Sequence, residues 1–101
     1  MNESQWTSRV LKPYLTKEYG ARVFKIHADE MQEKGIPDVI AVIDGFFYGF
    51  EIKKKGNEPT PVQCAVMRSI RRAGGKAGVV YTHSYKRDIQ DILNGAYDHL
   101  V

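Results

Sequence analysis

The sequence has one cysteine, four prolines and no long apolar run, and each of these shortages excludes a class of protein. Cys64 has no second cysteine to pair with, which excludes an internal disulfide and favours a reducing compartment. No apolar stretch approaches the roughly 20 residues that a membrane-spanning helix needs. Residues 1–5 also lack the basic and then apolar pattern of a secretory signal. We therefore expect a cytoplasmic protein with no membrane partner.

The composition and the charge distribution narrow the class further. Of the 101 residues, 43% are hydrophobic and 27% are charged, which excludes disorder and suits a single domain over residues 1–101. The net charge is +3, but residues 53–87 contain nine basic side chains and one acidic one. The rest of the chain contains six basic and eleven acidic side chains. Such a basic block is expected for a polyanionic partner, although a solvated basic surface would account for the charge equally well.

Apolar periodicity and turn signals predict an α/β fold with the element order α-β-β-β-α-β-α. The predicted elements are a helix over residues 4–19, a strand over 22–27, a hairpin over 37–53, a helix over 61–73, a strand over 76–82 and a helix over 85–100. Pro13 is expected to kink or split the first helix, which Gly20 ends. A strand–helix–strand unit after a hairpin indicates a mixed sheet that is flanked by helices.

The hairpin is the most informative segment because its turn fixes its register. Asp44-Gly45 between two β-branched and aromatic runs is typical of a two-residue type I′ turn. If Ile43 pairs with Phe46, opposed residue numbers sum to 89, and Asp38 falls opposite Glu51. Lys53 then projects from the same face, since side chains along a strand alternate. The spacing thus predicts three charged groups at one end of the hairpin.

Two opposed carboxylates need a compensating cation or a proton. Carboxylate oxygens at an open site suit Mg²⁺, which keeps several waters and accepts a substrate phosphate. Such an ion polarises a phosphodiester and lowers the pKa of a bound water, and Lys53 would orient that water or offset charge on the phosphate. The alternative is an ordinary salt bridge between Glu51 and Lys53 or Lys54, which explains most isolated E-x-K motifs. The in-register Asp38 favours the metal site.

Four ordered motifs resemble the PD-(D/E)xK nuclease superfamily and, within it, the VRR-NUC family. They are Gly35-Ile36-Pro37-Asp38, Phe50-Glu51-Ile52-Lys53, Thr60-Pro61-Val62-Gln63 and Gly74-Gly75, and the resemblance extends over residues 3–82. It implies a restriction-endonuclease-like core and metal-dependent cleavage of DNA. Asp38, Glu51 and the backbone carbonyl of Ile52 would be metal ligands, with Mg²⁺ as the cofactor and Mn²⁺ as a substitute. Lys53 would be the catalytic base or an electrostatic stabiliser.

The resemblance also suggests functions for residues outside these ligands. Gln63 would position the water or the phosphate, or it would form a capping box with Thr60, and the two functions are compatible. Glu3 would contact the metal through water, or its charge would simply favour the start of the first helix. The expected contacts with DNA phosphates are Lys54, Lys55, Arg68, Arg71 and Arg72. The sequence leaves open whether Lys25 faces the same cleft.

These observations predict a structure-selective DNA endonuclease acting on four-way (Holliday) junctions. The resemblance implies a homodimer, because two cuts in a branched substrate need two sites related by a twofold axis. It also implies a bacterial or phage-infected host cell. General nicking or flap-type cleavage is an alternative, and a catalytically inactive nucleic-acid-binding module of the same fold is another. A small interaction protein with a coincidental motif would bind no metal and would be insensitive to salt.

Overall fold

The computed structural model describes residues 1–27 and 33–96, which contain one four-stranded sheet in the order β1-β2-β3-β4. The strands are β1 (Arg22–Lys25), β2 (Val39–Ile43), β3 (Phe46–Lys53) and β4 (Lys76–Tyr81). The first three strands pair antiparallel, and β4 runs parallel to β3. This arrangement confirms the predicted α/β fold with a mixed sheet.

Helical segments precede the sheet, connect β3 to β4 and follow β4. They are α1 (Glu3–Trp6), a π-helical segment (Thr7–Leu11), α2 (Lys12–Tyr19), α3 (Pro61–Arg72) and α4 (Tyr85–Leu93). The predicted closing helix is shorter than expected, and residues 97–101 lie outside the described part of the chain, as do residues 28–32 of the predicted acidic loop. No helix within residues 1–27 or 33–96 is long and apolar enough to span a membrane.

The first helix confirms the effect that was predicted for Pro13. The amide of Lys12 bonds to the carbonyl of Thr7, one residue further back than in an α-helix, so the chain passes through a π turn just before Pro13. Pro13 then lies in the first turn of α2, where its missing N–H leaves no bond unmade. Gly20 ends α2 in the left-handed conformation, with φ of 65°.

The hairpin has the predicted turn and the predicted register. Asp44 and Gly45 have φ of 51° and 82°, the two positive values that a type I′ turn requires. Ile43 pairs with Phe46, and Val39 pairs with Phe50. Opposed residue numbers therefore sum to 89, and Asp38 lies one position beyond the last pair, on the side of Glu51.

The main core covers one face of the sheet, where α1, the π-helical segment, α2 and α4 pack. Its large, fully buried side chains include Leu11, Leu15, Phe50, Ile52, Ile89 and Ile92. A smaller cluster on the opposite face joins Met67 of α3 to Ala77 and Val79 of β4. Since α3 covers β3 and β4 there, the outer face of β1 and β2 is left uncovered.

The buried face of α3 differs from the apolar stripe that its sequence suggests. That stripe consists of Val62, Ala65, Val66, Ile70 and Ala73. In the structure Val62, Ala65 and Ala73 are exposed, while Met67 is fully buried and Gln63 is half-buried. The helix is rotated so that Gln63 and Met67, one turn apart, both face the sheet.

Candidate active site

Asp38 is fixed from both sides at the point where β2 begins. Its backbone carbonyl accepts a hydrogen bond from the amide of Ile26, 2.8 Å away, which extends the β1–β2 ladder by one residue. Its Oδ2 accepts a hydrogen bond from the amide of Ile52, at 2.9 Å, on the β3 side. The side chain thus replaces a backbone partner at the end of the ladder, and it lies close enough to Glu51 for its charge to raise the pKa of that carboxyl group.

Glu51 is a buried carboxyl group, with 2% of its surface exposed. The pKa of Glu51 is raised from 4.5 to about 8, mainly because the group is buried and also because of the charge of Asp38, while Lys53 acts in the opposite direction. The charge of Glu3 also raises the pKa of Glu51, but by less than the charge of Asp38 does. The pair therefore holds a proton near neutral pH in the absence of a cation, as expected for two carboxyl groups that share a site.

Lys53 and Gln63 both lie at the Oε2 atom of Glu51. The Nε2 atom of Gln63 donates a hydrogen bond to it at 3.0 Å, and the Nζ atom of Lys53 is 3.8 Å away. The other end of the Gln63 amide accepts a bond from the amide of Thr60, whose hydroxyl accepts one from the amide of Gln63. Gln63 thus completes the capping box of α3 and contacts the site with the same side chain.

The Oε1 atom of Glu51 indicates which kind of ligand the site is suited to bind. Oε1 is buried and has no hydrogen-bond partner within residues 1–27 and 33–96, which is costly for a carboxyl group. The carbonyl of Ile52 points to the side of Asp38, because the N–H and C=O of one residue in an extended strand share a side. Two carboxyl groups and one carbonyl are hard oxygen donors, so the residues present fit Mg²⁺ with waters completing its shell. No group of three or more His, Cys, Asp or Glu side chains with metal-site geometry occurs in the described part of the chain.

Beside Asp38 and Ile52 a cavity of about 250 Å³ opens towards the first helix. Glu3 and Lys25 contribute to its walls. The Nζ atom of Lys25 donates to the Oγ atoms of Ser4 and Ser8 at 2.8 and 3.0 Å. Lys25 therefore faces the cleft, a point that the sequence left open. Glu3 lies at the same cavity, which is compatible with the suggested contact through water.

The predicted phosphate contacts differ in their exposure. Lys54 and Lys55 are exposed in the loop after β3, and Arg68 and Arg72 are exposed on α3. Arg71 is half-buried, and its Nε donates to the carbonyl of Ala77 at 3.0 Å, so it also attaches α3 to β4. The sequence did not predict this structural function of Arg71, because the contact joins two residues that are six positions apart, on either side of the Gly74-Gly75 turn.

The two histidines in the described part of the chain, His27 and His83, lie at different cavities. His27 is exposed at the cavity beside Asp38, and His83 is exposed after β4. His99 lies outside the described residues, as do Asp29 and Glu30 of the acidic loop. The half-buried Cys64 is a free thiol.

Comparison with known proteins gives a likeness in structure only. No family model and no curated protein matches the sequence. The fold is similar to the solved structure of Archaeoglobus fulgidus Hjc, a Holliday junction resolvase from an archaeal hyperthermophile, with a TM-score of 0.54 and 15% identity. The aligned region covers 73% of this chain and 66% of that chain, slightly less than two thirds of its length. At this identity the likeness establishes a shared fold.

Proposed function

We propose that this protein is a metal-dependent DNA endonuclease of the PD-(D/E)xK type, related to the VRR-NUC family. The observation that carries the proposal is the buried Glu51, which faces Asp38, has Lys53 and Gln63 at one oxygen, and has no partner within the described residues at the other. A structural salt bridge does not need a second carboxyl group or an unpaired oxygen. A site that binds a cation makes use of both.

Each residue of the candidate site would have a separate function in the reaction. Asp38, Glu51 and the carbonyl of Ile52 would hold Mg²⁺ or Mn²⁺, with Glu3 acting through water. The ion would polarise the phosphodiester and lower the pKa of a bound water. Lys53, whose side chain is 17% exposed, extends to the mouth of the site, where it orients the attacking water or offsets charge as the bridging P–O bond breaks. Gln63 holds Oε2 of Glu51 by a hydrogen bond, which would leave Oε1 to bind the ion.

The preferred substrate in this proposal is a four-way DNA junction. The resolvase activity of the structurally similar Hjc supports this choice, and so does the basic block around α3. Nicking or flap-type cleavage is the alternative. The lack of any possible internal disulfide supports a reducing cytoplasm of a bacterial or phage-infected cell as the place of action.

The proposal also includes a homodimer. The outer face of β1, β2 and the start of β3 has Phe24, Val42 and Phe47 at 45%, 41% and 40% exposure. Strand β2 is apolar on both faces, whereas a strand with one solvated face normally alternates. A second copy that covers this face would bring two sites to one branched substrate.

The first test is cleavage of a labelled four-way junction and a matched linear duplex in Mg²⁺ or Mn²⁺. We expect paired cuts in the junction that disappear in EDTA and fall by roughly 100-fold or more in Lys53→Ala, because the charge on the phosphate is then unopposed. Lys17→Ala, which removes an exposed lysine of α2, is the matched control and should cut normally.

The same assay discriminates among the alternatives. Equal cutting of both substrates would retain the nuclease and reject the junction preference. Metal-independent binding without any cutting would favour the inactive binding module. Full activity in Lys53→Ala would contradict the proposed site.

A further inference from the structure

A second cavity, of about 400 Å³, lies on the other side of the candidate catalytic lysine. Val79 and Tyr81 of β4 contribute to it, as do Gly56–Glu58 of the loop after β3 and the start of α4. Tyr81 pairs with Lys53 in the parallel β3–β4 ladder. Neighbouring strands are about 4.8 Å apart, so Tyr81 connects the cavity to the strand position of Lys53.

The charges inside this cavity are unfavourable for a phosphate. Glu58, Asp88 and Asp91 contribute three carboxylates, against the single guanidinium of Arg87. Asp88 is engaged, since its Oδ2 accepts hydrogen bonds from the amide of Tyr81 and the hydroxyl of Ser84. The carboxylates of Glu58 and Asp91 have no hydrogen-bond partner in the described part of the chain. They can only accept, so a ligand in this cavity must present N–H or O–H donors.

Aromatic side chains form another part of the cavity. The rings of Tyr81 and His83 are 5.8 Å apart and inclined at 56°. Burial raises the pKa of Tyr81, and the charges of Glu58 and Asp88 raise it further, so its phenol stays neutral. A planar ligand can pack against these two rings while its donors contact the carboxylates.

The rim of the cavity has the opposite charge. Lys54 and Lys55 are exposed and immediately precede Gly56. A nucleotide is compatible with both the rim and the interior of the cavity. Its phosphates are attracted to the basic rim, and its base can stack on the aromatic rings and donate hydrogen bonds to the carboxylates. Among the bases, adenine, cytosine and guanine carry an exocyclic amino group with two hydrogens to donate, whereas an unpaired thymine has no amino group and donates only through its single N3–H.

We propose that this cavity binds one unpaired nucleobase with an exocyclic amino group, taken out of the DNA helix beside the scissile phosphate. The inference rests on the proposed nuclease function and adds to it a substrate feature, an unpaired nucleotide near the cut. An unpaired base is the least costly to remove from the stack, so the cavity gives selectivity for branched or imperfect DNA over a perfect duplex.

The test measures binding to the full-length protein in EDTA, where the proposed cleavage does not occur. The probes are duplexes with one unpaired adenine, thymine or 2-aminopurine, and a fully paired duplex. We expect the unpaired adenine to bind about tenfold more tightly than the unpaired thymine or the paired duplex, a size consistent with one stacked base. The 2-aminopurine fluorescence should be protected from acrylamide quenching, because the base is enclosed.

Two exposed or half-exposed cavity residues serve as variants that leave the core intact. His83→Ala and Asp91→Asn should lose most of the preference for unpaired adenine and restore quenching, with binding to the paired duplex unchanged. Gln90→Ala, on the same helix but outside the cavity, should behave as the wild type.

The outcomes separate this inference from the proposed function. Cleavage of junction DNA in Mg²⁺, together with equal binding of all duplexes and an unprotected 2-aminopurine, would overturn the inference and leave the nuclease. Protection and preference without cleavage would support the inference and reject the nuclease. Binding of the free 2-aminopurine deoxynucleoside as tightly as the DNA would overturn it too, since the cavity would then be a small-molecule site.

Discussion

Glu51 occupies a position in which its own ionisation is unfavourable. It is buried, it faces Asp38, and the amide of Gln63 and the ammonium of Lys53 both lie at one of its two oxygens. A binding site for a cation is often a site of electrostatic stress without it, because the ligands are arranged for a charge that they do not themselves supply.

This stress predicts a pH dependence of stability in the metal-free protein. The pKa of Glu51 is about 8 in the folded chain against an ordinary value of 4.5, so between these values the folded state holds a proton that the unfolded state has lost. The contribution of Glu51 to the free energy of unfolding should therefore be fully present below about pH 4.5 and be lost as the pH rises towards 8, by at most about 1 kcal/mol per pH unit. Urea unfolding in EDTA at several pH values measures the slope.

The matched variant for this prediction is Glu51→Gln, which keeps the shape of the side chain and removes its titration. Its stability should be nearly independent of pH over the same interval. Parallel curves for the variant and the wild type would show that another group causes the dependence. Addition of Mg²⁺ should reduce the loss at high pH in the wild type alone, since the ion favours the ionised pair.

At the scale of elements, α3 connects helix stability to the site through Gln63. Thr60→Ala removes the side-chain oxygen that caps the helix and should cost about 1 kcal/mol of stability with little effect on cleavage. Gln63→Ala should cost a similar amount of stability and also lower kcat by roughly 10- to 100-fold, because Glu51 loses the group that holds Oε2. Denaturation and cleavage measured on both variants test this prediction, and equal kcat values would limit Gln63 to a capping function.

The elements also show what local sequence can predict. Asp44-Gly45 specifies a type I′ turn, and the turn fixes the register of the hairpin. The local sequence is therefore enough to predict that Asp38 lies opposite Glu51. The orientation of α3 was not predicted, because the proposed apolar stripe omitted Met67, which is fully buried, and included Val62, which is exposed. The cavity wall formed by Lys25 depends on contacts across 17 and 21 residues, which no local pattern contains.

At the scale of the whole molecule, the basic surface predicts salt-dependent binding of DNA. Each phosphate contact that is lost should lower the slope of log K against log salt by about 0.9 for duplex DNA. Arg68→Ala and Arg72→Ala should each do so without loss of stability, because both side chains are exposed. Arg71→Ala should also destabilise the fold, since its guanidinium binds the carbonyl of Ala77. Unchanged slopes for Arg68→Ala and Arg72→Ala would place the DNA on another surface.

The uncovered face of β1 and β2 determines how two copies would meet. Its large exposed apolar side chains are Phe24, Val42 and Phe47, far fewer than the roughly 20 to 30 residues that each partner contributes to a standard interface. We therefore expect a dimer that dissociates at micromolar concentrations, which analytical ultracentrifugation over a dilution series would detect.

Val42→Glu should give a monomer at all concentrations, because a carboxylate would be buried between the two sheets. Val62→Glu, which is equally exposed on α3, should still dimerise. The Val42→Glu monomer should then nick single strands of a junction while losing paired cuts, whereas paired cutting by a proven monomer would remove the need for a second copy.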